Sequence, residues 1–188
     1  LIEGRGFTAK FVPARSPQDM KFPDAPPTLK MACGENPKGG SSFPTTRMGT
    51  AAGFRSTFIE AQQYRERWDA WLSDPSGDPP ARDLGMEALA QVLRGDMLVQ
   101  VHCYRADDMT TLLEIAQEFD FSIRSFHHAV EAYKIRDRLA ARDVSASMWS
   151  DWWGFKMEAF DGIPQNVALV SDAGARAIVH SDDDLNIQ

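Results

Sequence analysis

The stretch MLVQVHCYRADDMTTLLEIAQEFDFSIRSFHHA, residues 97–129, decides the fold. It opens and closes on short apolar runs that end in histidine: His102 after LVQV, then His127 and His128 after FSIRSF. Between them Met109, Leu112, Leu113, Ala116 and Phe119 recur at helical spacing, with Asp107 or Asp108 placed to cap the helix. Strand, helix, strand is therefore expected, with strands at Leu98–Cys103 and Ser122–Phe126. A third apolar run, RAIVHSDDD, ends in Asp182. A polar group at the end of a strand once per unit points to a parallel βα array with one site at its rim.

The same alternation extends outward. Upstream, a strand is expected at Thr28–Cys33, a loop at GENPKGGSSFP (34–44), a helix from about Thr45 to Leu72, and a helix from about Arg82 to Leu93 that stops at Gly95. Downstream, a helix is expected at Val130–Ala141, a strand at Ser145–Trp149, a helix holding Val167–Val170, and a last strand at Ala175–His180. Residues 1–27 carry Pro13, Pro17, Pro23, Pro26 and Pro27, which rule out a long helix there, so an extended segment is expected.

At 188 residues with 43% apolar and 25% charged residues, the chain is an ordinary globular sequence. A net charge of −7 and no Lys/Arg run argue against a nucleic-acid partner. No segment approaches the roughly 20 apolar residues of a membrane span. With no signal peptide in view and Cys33 and Cys103 both inside apolar runs, two buried thiols in a cytoplasmic protein are expected. The chain opens without methionine, which suggests a piece of a longer polypeptide.

At LKMACGENPK, FHHAVEAYK, WSDWWGFKMEAFDGIPQN and HSDDD the chain resembles the amidohydrolase superfamily, nearest its imidazolonepropionase-like and dipeptidase-like metal hydrolases. The resemblance implies an α/β fold of the (β/α)8 TIM-barrel type with metal ligands at the C-terminal ends of its strands. By motif the chain corresponds to strands four to eight, so a partial barrel is expected over residues 28–188. The family's first-strand His-x-His is missing: the only histidines are His102, His127, His128 and His180. Such a piece should have open sheet edges, and a homo-oligomer that covers them is expected.

The resemblance places one or two divalent ions, zinc by preference, on His102, His128 and Asp182, with none bound if the missing strands are essential. Lys30, as a carbamate, or Glu35 would bridge. Asp182 would also be the catalytic proton carrier. Of the adjacent pair His127 and His128, alternation along a strand lets only one face the site, and His127 is expected to pack against helices. Glu131 and Lys134 are expected at an exposed helix start. Tyr104 and Arg105 are weaker candidates for meeting a substrate carboxylate, with Arg47 a further one. Asp151 and its neighbours Trp149, Trp152 and Trp153 could line a substrate pocket.

The expected activity is metal-dependent hydrolysis of a C–N bond in an amide, small cyclic amide or dipeptide. Two other readings stand beside it: a non-catalytic barrel fragment held by self-association, and a deaminase of a heterocycle.

Overall fold

The computed structural model describes residues 1–151 and 154–182. Six strands form one sheet in chain order, β1 (Ile2–Gly6), β2 (Thr28–Ala32), β3 (Leu98–His102), β4 (Ile123–His127), β5 (Ser145–Met148) and β6 (Ala177–Val179). From β2 to β6 every pairing is parallel. Parallel neighbours need crossovers. These are α1 (Arg47–Ser73) with α2 (Leu84–Leu93) before β3, α3 (Ala106–Glu118) before β4, α4 (Arg136–Ala141) before β5, and α5 (Asn166–Asp172) before β6. The result is a mixed α/β fold, as the apolar periodicity predicts.

One face of the sheet makes the core. Leu29, Met31, Val99, Val101, Phe126, Ala146 and Met148 are fully buried against Phe58, Leu89, Leu112 and Leu139 from the helices. Phe58 stacks on Phe121 at 4.5 Å and touches Phe119 at 5.5 Å, which fixes α1 against the end of α3. Period-two alternation then turns Lys30, Gln100, His102, Ser125 and His127 to the opposite face. Lys30 is in register with Gln100, and His102 with His127.

Several local expectations change. The N-terminal segment contributes β1, an antiparallel edge to β2 that starts before any apolar run. Asp107 and Asp108 do not cap α3. Arg105 occupies the cap position, and the Ala106 N–H donates to Glu131 Oε2 at 2.9 Å. Glu131 is therefore a buried cap supplied from 25 residues away, not an exposed helix start. The expected helix at Val130–Ala141 is shorter: residues Ala132–Ile135 are a 3-10 turn and α4 begins at Arg136. Met48 and Ile59, apolar residues of α1, face solvent.

Cys33 and Cys103 are buried as expected, but they are not two separate thiols. A disulfide joins them, with their Cα atoms 5.2 Å apart, and ties the end of β2 to the end of β3. No helix among the described residues is long and apolar enough to cross a membrane.

Candidate metal centre

The C-terminal ends of β3, β4 and β6 bring four histidines and one aspartate together. His102 is the last residue of β3 and His127 the last of β4, and the two are paired across the ladder. His128 follows with φ of +59°, a left-handed conformation that costs a non-glycine residue energy. That turn ends the alternation, so His128 does not point away from its neighbour. The rings of His127 and His128 are 6.2 Å apart, and both reach His180, at 6.4 Å and 4.9 Å. His127 is thus part of the cluster and does not pack against the helices as expected.

The strained turn is braced from α5. Asn166, 2% exposed, donates from Nδ2 to the carbonyls of Ala129 and Val130 and accepts the Tyr133 N–H at Oδ1. Two backbone bonds add to it, Ala129 N–H to Ser147 O and Glu131 N–H to Tyr104 O.

His102 lies 4.8 Å from His128 between ring centroids. His128 Nδ1 is 2.7 Å from Asp182 Oδ2, and His180 Nδ1 is 3.9 Å from Asp182 Oδ1. One donor atom from each of His128, His180 and Asp182 falls within 4.8 Å of the others. Burial pushes His102 and His127 down to about 4, helped by the Lys30 ammonium. His128 is pushed further still, by burial first and then by the imidazoles of His102 and His180. These effects outweigh the Asp182 carboxylate beside it. His180 is lowered too, by burial, against the pull of Asp182. The cluster is therefore a set of neutral imidazoles with lone pairs to offer.

The set fits a divalent cation. Nε2 of His102, His127 and His180 are buried with no hydrogen-bond partner among the described residues. Buried polar atoms are rarely left in that state, and imidazole nitrogen with one carboxylate is a donor set for zinc and its neighbours. Lys30 is close enough for its charge to depress all four histidines. Glu35 is not brought to them: its carboxylate pairs with Lys38 at 2.5 Å and its N–H donates to Glu158 Oε1. Of the two candidate bridging groups, Lys30 lies on the histidine-bearing face of the sheet, within electrostatic reach of the imidazoles, and Glu35 is engaged elsewhere.

Aromatic rings wall one side. Tyr104, 5% exposed, is 4.8 Å from His102 and 5.5 Å from Trp149, and Trp149 is 5.3 Å from His128. Phe155 completes the wall against both. Arg105 turns away from this wall into a two-point pair with Asp107, at 2.9 Å and 3.2 Å. Asp151 is exposed and accepts from Ser150 Oγ at 3.4 Å. Trp152, Trp153 and Asp183 lie outside the described residues.

The structure brings His102, His128 and Asp182 together, and sets beside them His127 and His180, which the sequence reading did not place there. His180 had a usable signal: it stands two residues before Asp182, the spacing that puts both on one face of an extended chain. Lys156, whose ammonium lies 4.0 Å over the Tyr104 ring, follows an irregular loop and had none.

No protein-family model matches the chain. Over 170 residues, 82% of its length, it is 35% identical to amidohydrolase tasK of Hapsidospora irregularis. Its fold superimposes on the crystal structure of an amidohydrolase from Thermotoga maritima MSB8 with a TM-score of 0.84, 30% identity and 95% of this chain covered. The chain spans 17% of the first protein and 46% of the second. In sequence and in fold it is of the amidohydrolase type.

Proposed function

We propose that this amidohydrolase-type chain carries most of the catalytic centre of a metal-dependent hydrolase that cleaves a C–N bond in an amide or small cyclic amide. One observation carries the reading: four neutral imidazoles, three with an Nε2 unsatisfied among the described residues, converge with a carboxylate at the C-terminal ends of the parallel strands β3, β4 and β6. In a βα array that rim is where side chains from different strands meet. The parallel strands β2 to β6 are read as a segment of a TIM-type barrel.

His102, His128 and Asp182 would hold the ion, with His180 within reach of the same position. A bound zinc ion would acidify water towards neutral pH and draw electron density from the substrate carbonyl. Asp182 takes the proton from the attacking water and returns it to the departing nitrogen, the exchange a carboxylate can make when it lies beside both. His128 Nδ1 lies 2.7 Å from Asp182 Oδ2, which keeps the carboxylate beside the imidazoles. Tyr104, Trp149 and Phe155 keep bulk water from one side. Lys30 faces the centre from β2, where its carbamate would supply an anionic bridge in place of an opposing charge.

The test is metal content together with activity. Protein stripped by chelator and refilled should bind zinc in a ratio of one or two per chain, and cleave members of a panel of dipeptides and cyclic amides. A folded protein that takes up no zinc and cleaves none of them overturns the reading. A second reading draws on one observation, the exposure of Ile178 (38%) and Val179 (61%) along β6. It is a non-catalytic partial barrel whose edges pair between copies, and a metal-free folded dimer would support it.

A further inference from the structure

One buried acid clamps together the loops that follow β3 and β4. Glu131 stands three positions after His128 and is 4% exposed. Its backbone N–H donates to the Tyr104 carbonyl at 3.1 Å, and its Oε2 accepts the Ala106 N–H at 2.9 Å. These bonds grip the chain on either side of Arg105, two and four residues beyond His102. Ala106 opens α3, and the N–H groups of a helix's first turn have no partner inside the helix. A carboxylate there meets an orphan donor and the positive end of the helix dipole. Arg105, at the cap position, makes no side-chain bond to the helix; its guanidinium turns to Asp107.

The second carboxylate oxygen extends the clamp. Glu131 Oε1 is 3.2 Å from Lys134 Nζ, which lies 2.7 Å from Asp161 Oδ2 in the loop after β5. Tyr133 Oη donates to the Asp161 carbonyl at 3.2 Å. Three rim loops therefore meet around Glu131. The ladder alone does not place His128. The β3–β4 pairing ends at His102 and His127, and His128 lies one residue beyond it in a left-handed turn. Its position relative to His102 depends on what holds the chain after the ladder stops. Asn166 ties the turn to α5. Glu131 ties it to the segment that carries His102.

We infer that Glu131 is a positioning residue: by holding the Ala106 N–H, its carboxylate sets the separation of the His102 and His128 imidazoles and so their joint affinity for a metal ion. The inference rests on the metal-dependent reading of the centre. The two ring centroids are 4.8 Å apart. An ion held by both at about 2.0–2.1 Å tolerates little change in that separation. The Tyr104 ring, 4.8 Å from His102 and 5.9 Å from His128, packs between the clamp and the histidines and transmits any movement of the loop. Reach matters here more than charge. The donor is a neutral backbone N–H, and an amide oxygen in the same place accepts from it. A carboxylate drawn back by one carbon–carbon bond, about 1.5 Å, does not reach.

The test reads metal binding and ring geometry in the full chain. Zinc affinity is measured by competition with a chromophoric chelator, and cobalt(II) absorption reports ligand geometry. Glu131→Asp keeps the charge and loses the reach; it should bind zinc about tenfold or more weakly, as for other residues that orient metal ligands, and change the cobalt bands. Glu131→Gln keeps the reach and should stay within threefold of the parent, with the parent's bands. Ala106→Pro removes the same bond from the donor side. Proline is tolerated at the first helical position, and Arg105 already has the extended backbone that a following proline requires, with φ of −93° and ψ of 144°. This variant should match Glu131→Asp. In metal-free protein the nuclear Overhauser contact between the His102 and His128 rings should weaken in Glu131→Asp and Ala106→Pro and persist in Glu131→Gln. Parent-like zinc binding by Glu131→Asp or Ala106→Pro overturns the proposal, as does a Glu131→Gln variant that behaves like Glu131→Asp. An equal loss of zinc affinity in Phe58→Ala, which loosens the scaffold away from the clamp, also overturns it. An unaltered protein that takes up no metal sinks the hydrolase reading, and the metal-free ring contact then decides the role of Glu131: a contact unchanged in both Glu131→Asp and Ala106→Pro rejects it.

Discussion

Asp182 Oδ2 sits 2.7 Å from His128 Nδ1, which connects the last described residue of the chain to the turn that ends β4. The two are 54 positions apart in sequence and belong to strands separated by β5. In the proposed hydrolase this carboxylate moves the proton. Asp182→Asn keeps the size and loses the basicity. It should lower kcat about 100-fold or more, with an unchanged far-ultraviolet circular dichroism spectrum. A variant within threefold of the parent would remove Asp182 from the mechanism.

Acid should destabilise the fold through the same cluster. In the folded chain His102 and His127 are pushed down to about 4 by burial, while an unfolded histidine titrates near 6.5. Below 6.5 the unfolded chain therefore binds protons that the folded chain refuses, and stability falls as pH drops from about 6.5 towards about 4. Below that window the folded imidazoles titrate as well and this contribution levels off. Urea midpoints of metal-free protein at pH 7.5, 6.0 and 5.0 check the direction. His127→Gln should reduce the slope.

The Cys33–Cys103 link closes a loop of 70 residues that contains all of α1 and α2. A cross-link of that length restricts the unfolded chain, and its loss costs about 2–5 kcal/mol. Urea unfolding with and without reductant should show that difference, and Cys103→Ser should abolish it. The same variant leaves the Cys103 N–H bond to the His127 carbonyl available, so His102 should stay in place at moderate temperature.

Two buried side chains test the scaffold separately from the chemistry. Phe58→Ala removes a ring packed on Phe119 and Phe121 and should cost about 3–5 kcal/mol, leaving zinc affinity little changed. Asn166→Ala leaves the carbonyls of Ala129 and Val130 and the N–H of Tyr133 without their partner. A loss of about 1–3 kcal/mol is expected. Because that partner braces the left-handed His128, the variant should also weaken zinc binding where Phe58→Ala does not.

The strands from β2 to β6 were legible because each is a short apolar run bounded by turn residues, and the helices between them keep their stripes. His102, His128 and Asp182 were legible as polar ends of those runs. What escaped depends on contacts distant in sequence or on single backbone angles. His127 joins the cluster only because His128 adopts a positive φ, which cancels the alternation a strand imposes. Glu131 reads as a surface acid until α3 is seen to begin beside it. Arg105 looks available for a substrate until Asp107, two residues on, takes the Nε–Nη2 edge of its guanidinium. β1 holds its place by backbone pairing in a segment whose apolar content gives no warning of a strand.

The exposed flank of β6 carries a practical consequence. Ile178 and Val179 offer β-branched side chains beside peptide groups that have no ladder partner on that side among the described residues. Such a border recruits strands from other molecules when concentration rises. Val179→Lys should act as a gatekeeper. The variant is expected to delay light scattering and thioflavin fluorescence in concentrated stocks and to leave the unfolding midpoint nearly unmoved.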